Sequence, residues 1–390
     1  MTVKPPARPD KWYLGAGDGL LWAPPFPQWL DVPGFWDEAH LYQYAIRPLF
    51  TLSFVVGGEV LPTRCRARQW TPGTLTLDHT VGPLRAREIR AVAGGALGSA
   101  WEITNPTRRP VTLDVIAWTA VDGESLTAGD VTRAGAALAF TRTVADRHGH
   151  NARIVHHLAL TPAPHSYAAY RSESSTPVLP PQFELTPFSD RWSGRLENVV
   201  RLDGLTAAGL VFLGLHRHVT VAPKKSVRMD AAVGLELKSE GQTDGRNGGP
   251  MRSSQRRSVL PSVRGRSERT WAGYFASLPA FRCSDPYLER YWPYRWYGLK
   301  LHALEPGAPN YRHRTVTEGI AYFHVPITYS AQCHMRELRW LADPEWARGV
   351  LRTFLDHQKA DGSLHGRIYA DHLEGTDFYH ADWGGALEAL

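Results

Sequence analysis

Ser284-Asp285-Pro286-Tyr287-Leu288-Glu289-Arg290-Tyr291-Trp292 opens the stretch on which the architecture turns. A capping side chain precedes a proline whose missing N–H costs nothing in a first helical turn, and Leu288, Tyr291, Trp292, Arg295 and Trp296 recur at helical spacing. Farther on, Phe323, Ile327, Ala331, Met335 and Leu338 form one apolar stripe and predict a second helix over about residues 321–341. Asp343-Pro344-Glu345 starts a third, with Trp346, Val350, Leu351 and Phe354 inward and Ala360-Asp361-Gly362 as its end. The residues from Ala381 onward read as the first turns of a fourth.

Upstream the period is different. Phe50–Val56, Thr74–Thr80, Ser99–Thr104, Val111–Trp118 and Val219–Ala222 alternate apolar and polar residues or nearly so, with turn chemistry at Asn105-Pro106-Thr107 and Val121-Asp122-Gly123. Many strands without long intervening helices imply a large antiparallel β-sandwich. The expected fold is therefore multi-domain, all-β then all-α: a sandwich over residues 1–275, a linker helix and connection over 276–318, and helical hairpins over 319–390.

At 390 residues and 43% apolar content the chain can bury a large core. The longest apolar run, Ala207 to Leu215, is too short to cross a bilayer, and Met1 to Trp12 lacks a signal peptide's apolar stretch, so a cytoplasmic protein is expected. Cys65, Cys283 and Cys333, odd in number and far apart, suit buried thiols in a reducing compartment. The net charge of +6 could attract nucleic acid, but six arginines between Arg252 and Arg269 sit in a Gly/Ser/Pro-rich stretch without interleaved aromatics. Residues 242–269 are expected to be a mobile surface loop, and neither nucleic acid nor membrane is an expected partner.

Polar and aromatic residues crowd the end of the chain. Gln358, Asp361, His365 and Tyr369 are followed closely by Thr376, Asp377, Tyr379, His380, Asp382 and Trp383. Aromatic planes beside imidazoles and carboxylates suit a sugar, whose ring faces stack while its hydroxyls need donors and acceptors. Taken singly, the same residues also read as a helix cap at Thr376 or Asp377, a turn at Asp361-Gly362 and a core Trp383.

The order of a long sandwich, the Ser284–Tyr291 linker helix, Tyr322-Phe323-His324, Gln358-Lys-Ala-Asp-Gly-Ser-Leu-His365 and Tyr379-His-Ala-Asp-Trp383 resembles six-hairpin glycosidases of the glycoside hydrolase family 63 type, including trehalase-like and mannosylglycerate or glucosylglycerate hydrolases. The resemblance implies an (α/α)6 toroid and inverting hydrolysis of a small α-glucoside or α-mannoside, without cofactor or metal. It implies substrate contacts from Tyr322, His324, Gln358, Asp361, His365, Tyr379, His380, Asp382 and Trp383. A histidine at 324 departs from the Trp-Asp pairing common in such enzymes. Twelve helices need upwards of roughly 250 residues, whereas Asp285 to Leu390 supply 106. The expectation is thus an incomplete toroid whose acid and base lie beyond Leu390, with Asp382 as the remaining catalytic candidate.

Other motifs point elsewhere. Gly15-Ala-Gly17-Asp-Gly19 lacks a preceding strand and reads as coil. His148, His150, His156 and His157, and His216 with His218, could be metal ligands but read more simply as strand or surface histidines. Alternation places His216 and His218 on the same face of one strand. The rival reading is a carbohydrate-binding or structural sandwich, from which everything after Thr270 could be removed without loss of sugar affinity.

Overall fold

The computed structural model describes residues 3–126, 131–172, 182–202, 209–238, 262–320 and 323–373. Two antiparallel sheets dominate it. One orders eight strands as Thr132–Ala134, Ala137–Ala145, Asn151–Thr161, Ser226–Lys238, Ala96–Thr104, Leu84–Ala93, Thr74–Val81 and Thr63–Thr71. The other runs Val199–Arg201, Ser166–Ser172, Leu210–Val221, Val111–Asp122, Phe50–Val56 and Gly34–Phe35, with Glu59–Val60 beside Phe50–Val56 and one parallel pairing, Ser166–Ser172 with Val199–Arg201. Phe54, Val115 and Leu213 share one core with Leu97, Trp101 and Val233, and the rings of Phe54 and Trp101 meet across the sheets at 5.2 Å.

Strand Val111–Asp122 is longer than its alternation suggested, because both of its faces are covered. Ile116, Trp118 and Ala120 point away from the inter-sheet core into a second cluster closed by Phe183, Phe188 and Leu196. A strand buried twice carries a near-continuous apolar run, so it passes through Val121-Asp122 where a turn was expected. The Asn105 turn is present. Its side chain accepts from the Thr107 N–H at 2.9 Å and donates to the carbonyls of Arg109 and Val221, so one amide closes the turn and ties it to the end of strand Leu210–Val221.

One buried ion pair anchors this half. Glu88 and Arg90, both fully inaccessible, hydrogen-bond each other, and Glu88 also accepts from the Gly34 N–H and Ser99 and contacts His79. Burial would raise the Glu88 carboxyl, but Arg90 and His79 outweigh it and bring it down to about 2. Arg90 uses its remaining donors on the carbonyls of Leu30 and Val32.

The Gly15–Gly19 segment is not coil. Leu14–Gly15 and Leu20–Trp22 pair as a hairpin within a small four-stranded sheet, Gly17 and Gly19 have φ of 74° and 90°, and Asp18 accepts from the N–H groups of Gly94 and Gly95. A Cβ at Gly17 would lie 2.6 Å from the Lys300 carbonyl oxygen. Glycine is required there by both backbone angle and approach.

The Arg-rich segment expected as a loop over 242–269 is helical from Ser262. Helix Ser262–Ser277 lies on the eight-stranded sheet, with Val263 against Ala91 and Ala96, and Trp271 donating to the Gly15 carbonyl at 2.9 Å. Its arginines face solvent and hide the apolar period. Residues 242–261 lie outside the described residues.

Helix Pro286–Leu301 begins as expected: Asp285 accepts from the N–H groups of Tyr287 and Leu288, with proline at the first position. Leu288 and Tyr291 nevertheless face outward, 54% and 60% exposed. The next helix is shorter than its stripe implied, Thr328–Leu338 rather than 321–341, because Pro326 imposes extended backbone before it. Ile327 instead bridges to Arg367. Helix Glu345–Leu355 follows, packs against Thr328–Leu338, and buries Trp346, Val350 and Phe354, with Leu351 half-buried. It ends before Ala360, and the Asp361-Gly362 turn stands clear of it. The expected fourth helix lies outside the described residues.

The cysteines are not buried as expected: Cys283 and Cys333 are exposed, Cys65 is half-buried, and all three are free. Among the described residues no helix is long and apolar enough to cross a membrane.

Candidate functional site

The segment Gly366–His372 runs along the seam between the sandwich and the helical hairpin. Its backbone is held from both sides. The Thr328 N–H donates to the Gly366 carbonyl and the Ile368 N–H to the Pro326 carbonyl, and Tyr311 donates to the Ile368 carbonyl at 2.8 Å. Asn310 donates from its side chain to the carbonyls of Tyr369 and His372. From the sandwich, the Gln43 side-chain oxygen accepts the Ala370 N–H at 3.2 Å.

These bonds deliver Asp371 to Gln43 and Tyr44 on the small sheet. Its carboxylate accepts from Tyr44 Oη at 2.8 and 3.0 Å, from Gln43 Nε2 at 2.9 Å, and contacts His372 Nδ1 at 2.9 Å. Partial burial pushes the Asp371 carboxyl up, but its hydrogen bonds with His372 and Tyr44 bring it below the usual carboxylate range. The Tyr44 phenol is pushed above its ordinary value, first by burial and then by the Asp371 charge. Asp371 is therefore an ionised acceptor at neutral pH.

The His372 ring stacks on Tyr369 at 4.6 Å and on His150 at 3.8 Å, and its Nε2 lies 3.5 Å from Asp146 Oδ2. Asp146 and His150 belong to the connection between strands Ala137–Ala145 and Asn151–Thr161, where Asp146 accepts the N–H groups of His148 and His150. One imidazole thus stands between two carboxylates, with the side chains of Asp371 and His372 18% and 13% exposed. Within one seam the cluster gathers buried Tyr369, the stacked His372 and His150 rings, a charged acceptor and an amide, bonded to one another. These are the residue types that suit a polyhydroxylated ring.

The expected site residues are distributed differently. His324 is buried, contacts the Tyr42 carbonyl at 2.8 Å, and is brought down to about 3 by burial and by neighbouring His40 and His302. Gln358 donates to the Gly362 carbonyl and Asp361 accepts from Ser363, so both serve their own exposed turn. His365 is half-buried and lowered, by burial first and then by Lys359 and His357. Tyr322, Tyr379, His380, Asp382 and Trp383 lie outside the described residues. Gln43, Tyr44, Asp146, His150, Asp371 and His372 were not picked out together from sequence, since contacts such as Gln43–Asp371 join residues 328 positions apart. The one local signal was Tyr369-Ala-Asp371-His372, continuing directly from His365.

The other histidine motifs have structural partners. His216 Nε2 and His218 Nδ1 both lie 2.8 Å from the same Asp114 oxygen, and His216 Nδ1 meets Ser166 Oγ at 2.9 Å. Ser166 is 1% exposed and also accepts the Leu196 N–H, so this Ser-His-Asp chain braces the loop over the outer sheet and presents no nucleophile. His156 stacks on Phe140 in the core. Among the described residues, no group of three His, Cys, Asp or Glu is placed to hold a metal.

No family model and no curated protein matches this chain. Among solved structures, it is similar to a putative kojibiose phosphorylase from the human microbiome, at 11% identity and a TM-score of 0.45 over 91% of this chain and 45% of that one. A family GH92 α-mannosidase from Bacteroides thetaiotaomicron is similar at 11% identity and a TM-score of 0.44, over 95% of this chain and 53% of that one. The chain spans about half the length of these two proteins. At these values the likeness identifies no family.

Proposed function

We propose that this chain forms the sandwich and part of the sugar-binding wall of a glycoside hydrolase. The reading takes the substrate to be a small α-glucoside or α-mannoside, such as a glucosylglycerate, cleaved with inversion in the cytoplasm. What supports it is the seam itself: an ionised Asp371, held by Tyr44 and Gln43, in a segment whose Tyr369 and His372 carbonyls accept from Asn310, beside the stacked rings of Tyr369, His372 and His150. The sequence resemblance to six-hairpin glycosidases points to the same substrate class. In this reading Asp371 accepts from a sugar hydroxyl and the imidazole edge contacts the ring.

Inversion requires a proton-donating carboxyl and a water-activating carboxylate roughly 6.5 to 9.5 Å apart, with the scissile bond and a water between them. Asp146 and Asp371 do not meet that requirement, because the His372 ring occupies the space between them. The reading therefore assigns the reacting pair to residues outside those described, Asp382 among them. The same observation favours the second reading, a carbohydrate-binding sandwich without catalysis.

Calorimetric titration of residues 1–390 with glucosylglycerate, glucose and mannose tests the seam. Saturable binding weakened about tenfold by Asp371→Asn, a loss of about 1.4 kcal/mol, is expected. Equal affinity in the parent and the variant would remove the seam as the binding wall. Release of monosaccharide by the parent chain would favour the hydrolase over the binding reading.

A further inference from the structure

We propose a second ligand site on the sandwich, taking a neutral oligosaccharide, in the groove formed by Trp12, Phe26, Gln28, Asp10, Asp31 and Arg68. This groove has a volume of about 540 Å³ and shares no residue with the seam. That volume is within the range of small-molecule sites. Phe26 is 89% exposed, between Pro25 and Pro27, which also line the groove. An aromatic ring so placed costs free energy in water and gains it back by stacking on a sugar face.

The platform is built rather than loose. Trp12 Nε1 donates to the Pro24 carbonyl at 2.9 Å, holding the proline loop to the indole. Buried Asp37 accepts the N–H groups of Gln28 and Trp29 at 3.2 and 3.0 Å, and the Arg90 guanidinium holds the Leu30 carbonyl at 3.0 Å. Each φ-restricted proline and each anchored N–H removes disorder that a ligand would otherwise have to quench.

The polar rim selects the ligand's charge. Asp31 pairs with Arg68 at 3.2 Å and Asp10 pairs with Arg8, so each carboxylate is matched by a guanidinium. A rim balanced in this way offers donors and acceptors without net charge, which suits hydroxyls and discriminates against phosphates and acidic chains. The Gln28 side-chain amide has no partner among the described residues and adds one further donor and acceptor.

Isothermal titration of residues 1–390 with maltotetraose and with an α-linked mannotriose tests the site, using Phe26→Ala, Asp31→Ala and Asp371→Asn. Phe26 and Asp31 are exposed, and matching unfolding midpoints establish that their variants fold. One of the two saccharides is expected to bind saturably, with affinity about tenfold lower in Phe26→Ala and reduced in Asp31→Ala. The Phe26-dependent part of the isotherm is expected to persist in an Asp371→Asn background, where the seam's own acceptor is weakened, which separates the groove from the seam. Undiminished binding by Phe26→Ala, or saturation by neither saccharide, overturns the proposal. Binding of a proline-rich decapeptide in their place, sensitive to Phe26→Ala, overturns the saccharide assignment.

Discussion

Asp371 and Glu88 are both ionised acceptors held by several donors, but they serve different ends. Glu88 is sealed from solvent with Arg90 as its counter-charge. Glu88→Gln leaves a buried guanidinium without its charge partner and should cost about 3–5 kcal/mol in urea unfolding; a loss below about 1 kcal/mol would show that Arg90 finds compensation elsewhere. Its folded value of about 2 against an ordinary 4.5 means the stabilisation is complete above pH 4.5 and is lost as pH falls toward 2. A second group of residues titrates earlier. His302, His324 and His334 are brought down to about 4, 3 and 4 by burial, with further lowering from Arg295 on His302 and His334 and from His40 and His302 on His324. Because their folded values lie below the unfolded 6.5, they favour the folded state above pH 6.5, and that contribution declines from there toward pH 3–4. Thermal midpoints should therefore fall between pH 6.5 and 4, and His324→Gln should flatten that slope; an unaltered slope would place the protons elsewhere. None of this was legible in the sequence, where His324 resembled a sugar contact and Glu88 carries no local signal of its distant partners His79, Gly34 and Ser99.

Helices show how much a linear pattern can carry. The Asp285-Pro286 start was readable because a cap and its proline are neighbours in sequence; Asp285→Ala should lose about 1 kcal/mol in chemical unfolding, the usual value of a cap, and no change would mean that solvent replaces the carboxylate. Helix Ser262–Ser277 was not readable, since an arginine-rich outer face masks the few residues, Val263 and Trp271 among them, that dock on the sheet. Gly349 presents the opposite case. It sits in the middle of helix Glu345–Leu355, where glycine costs about 1 kcal/mol relative to alanine. A Cβ there would stand 2.2 Å from the Arg314 carbonyl oxygen. Gly349→Ala should therefore destabilise the protein despite its better propensity, read as a lower thermal midpoint; a raised midpoint would show that the Arg314 segment yields freely. The sandwich strands were legible where one face is wet and the other dry, as in Thr74–Val81, and less so in Val111–Asp122, which has no wet face.

Across the whole molecule, one hydrophobic cluster joins Leu14, Trp70 and Leu97 to Trp271, Trp296, Tyr297, Met335 and Phe354. This cluster runs across the boundary expected near residue 275 and across the cut after Thr270 that the rival reading allows. Cutting there removes Trp271, whose indole reaches the Gly15 carbonyl, and Tyr297, whose ring packs edge-on against Trp70 at 5.0 Å. Residues 1–390 should lose tryptophan fluorescence and far-ultraviolet ellipticity at the same denaturant concentration; two separated transitions would show that the helical part unfolds independently. Point variants at the groove and the seam are thus cleaner probes of sugar affinity than any truncation.

The Asn310 side chain holds two carbonyls of the 366–372 segment, while the N–H of Ala370 reaches Gln43 on the sandwich. These ties act like a hinge pin threaded through both halves. The Ala370 amide proton should exchange with deuterated solvent only when the halves part, so its exchange rate becomes a clock for their breathing. A ligand wedged at Asp371 would slow that clock, whereas one resting on Phe26 would leave it running at its former pace.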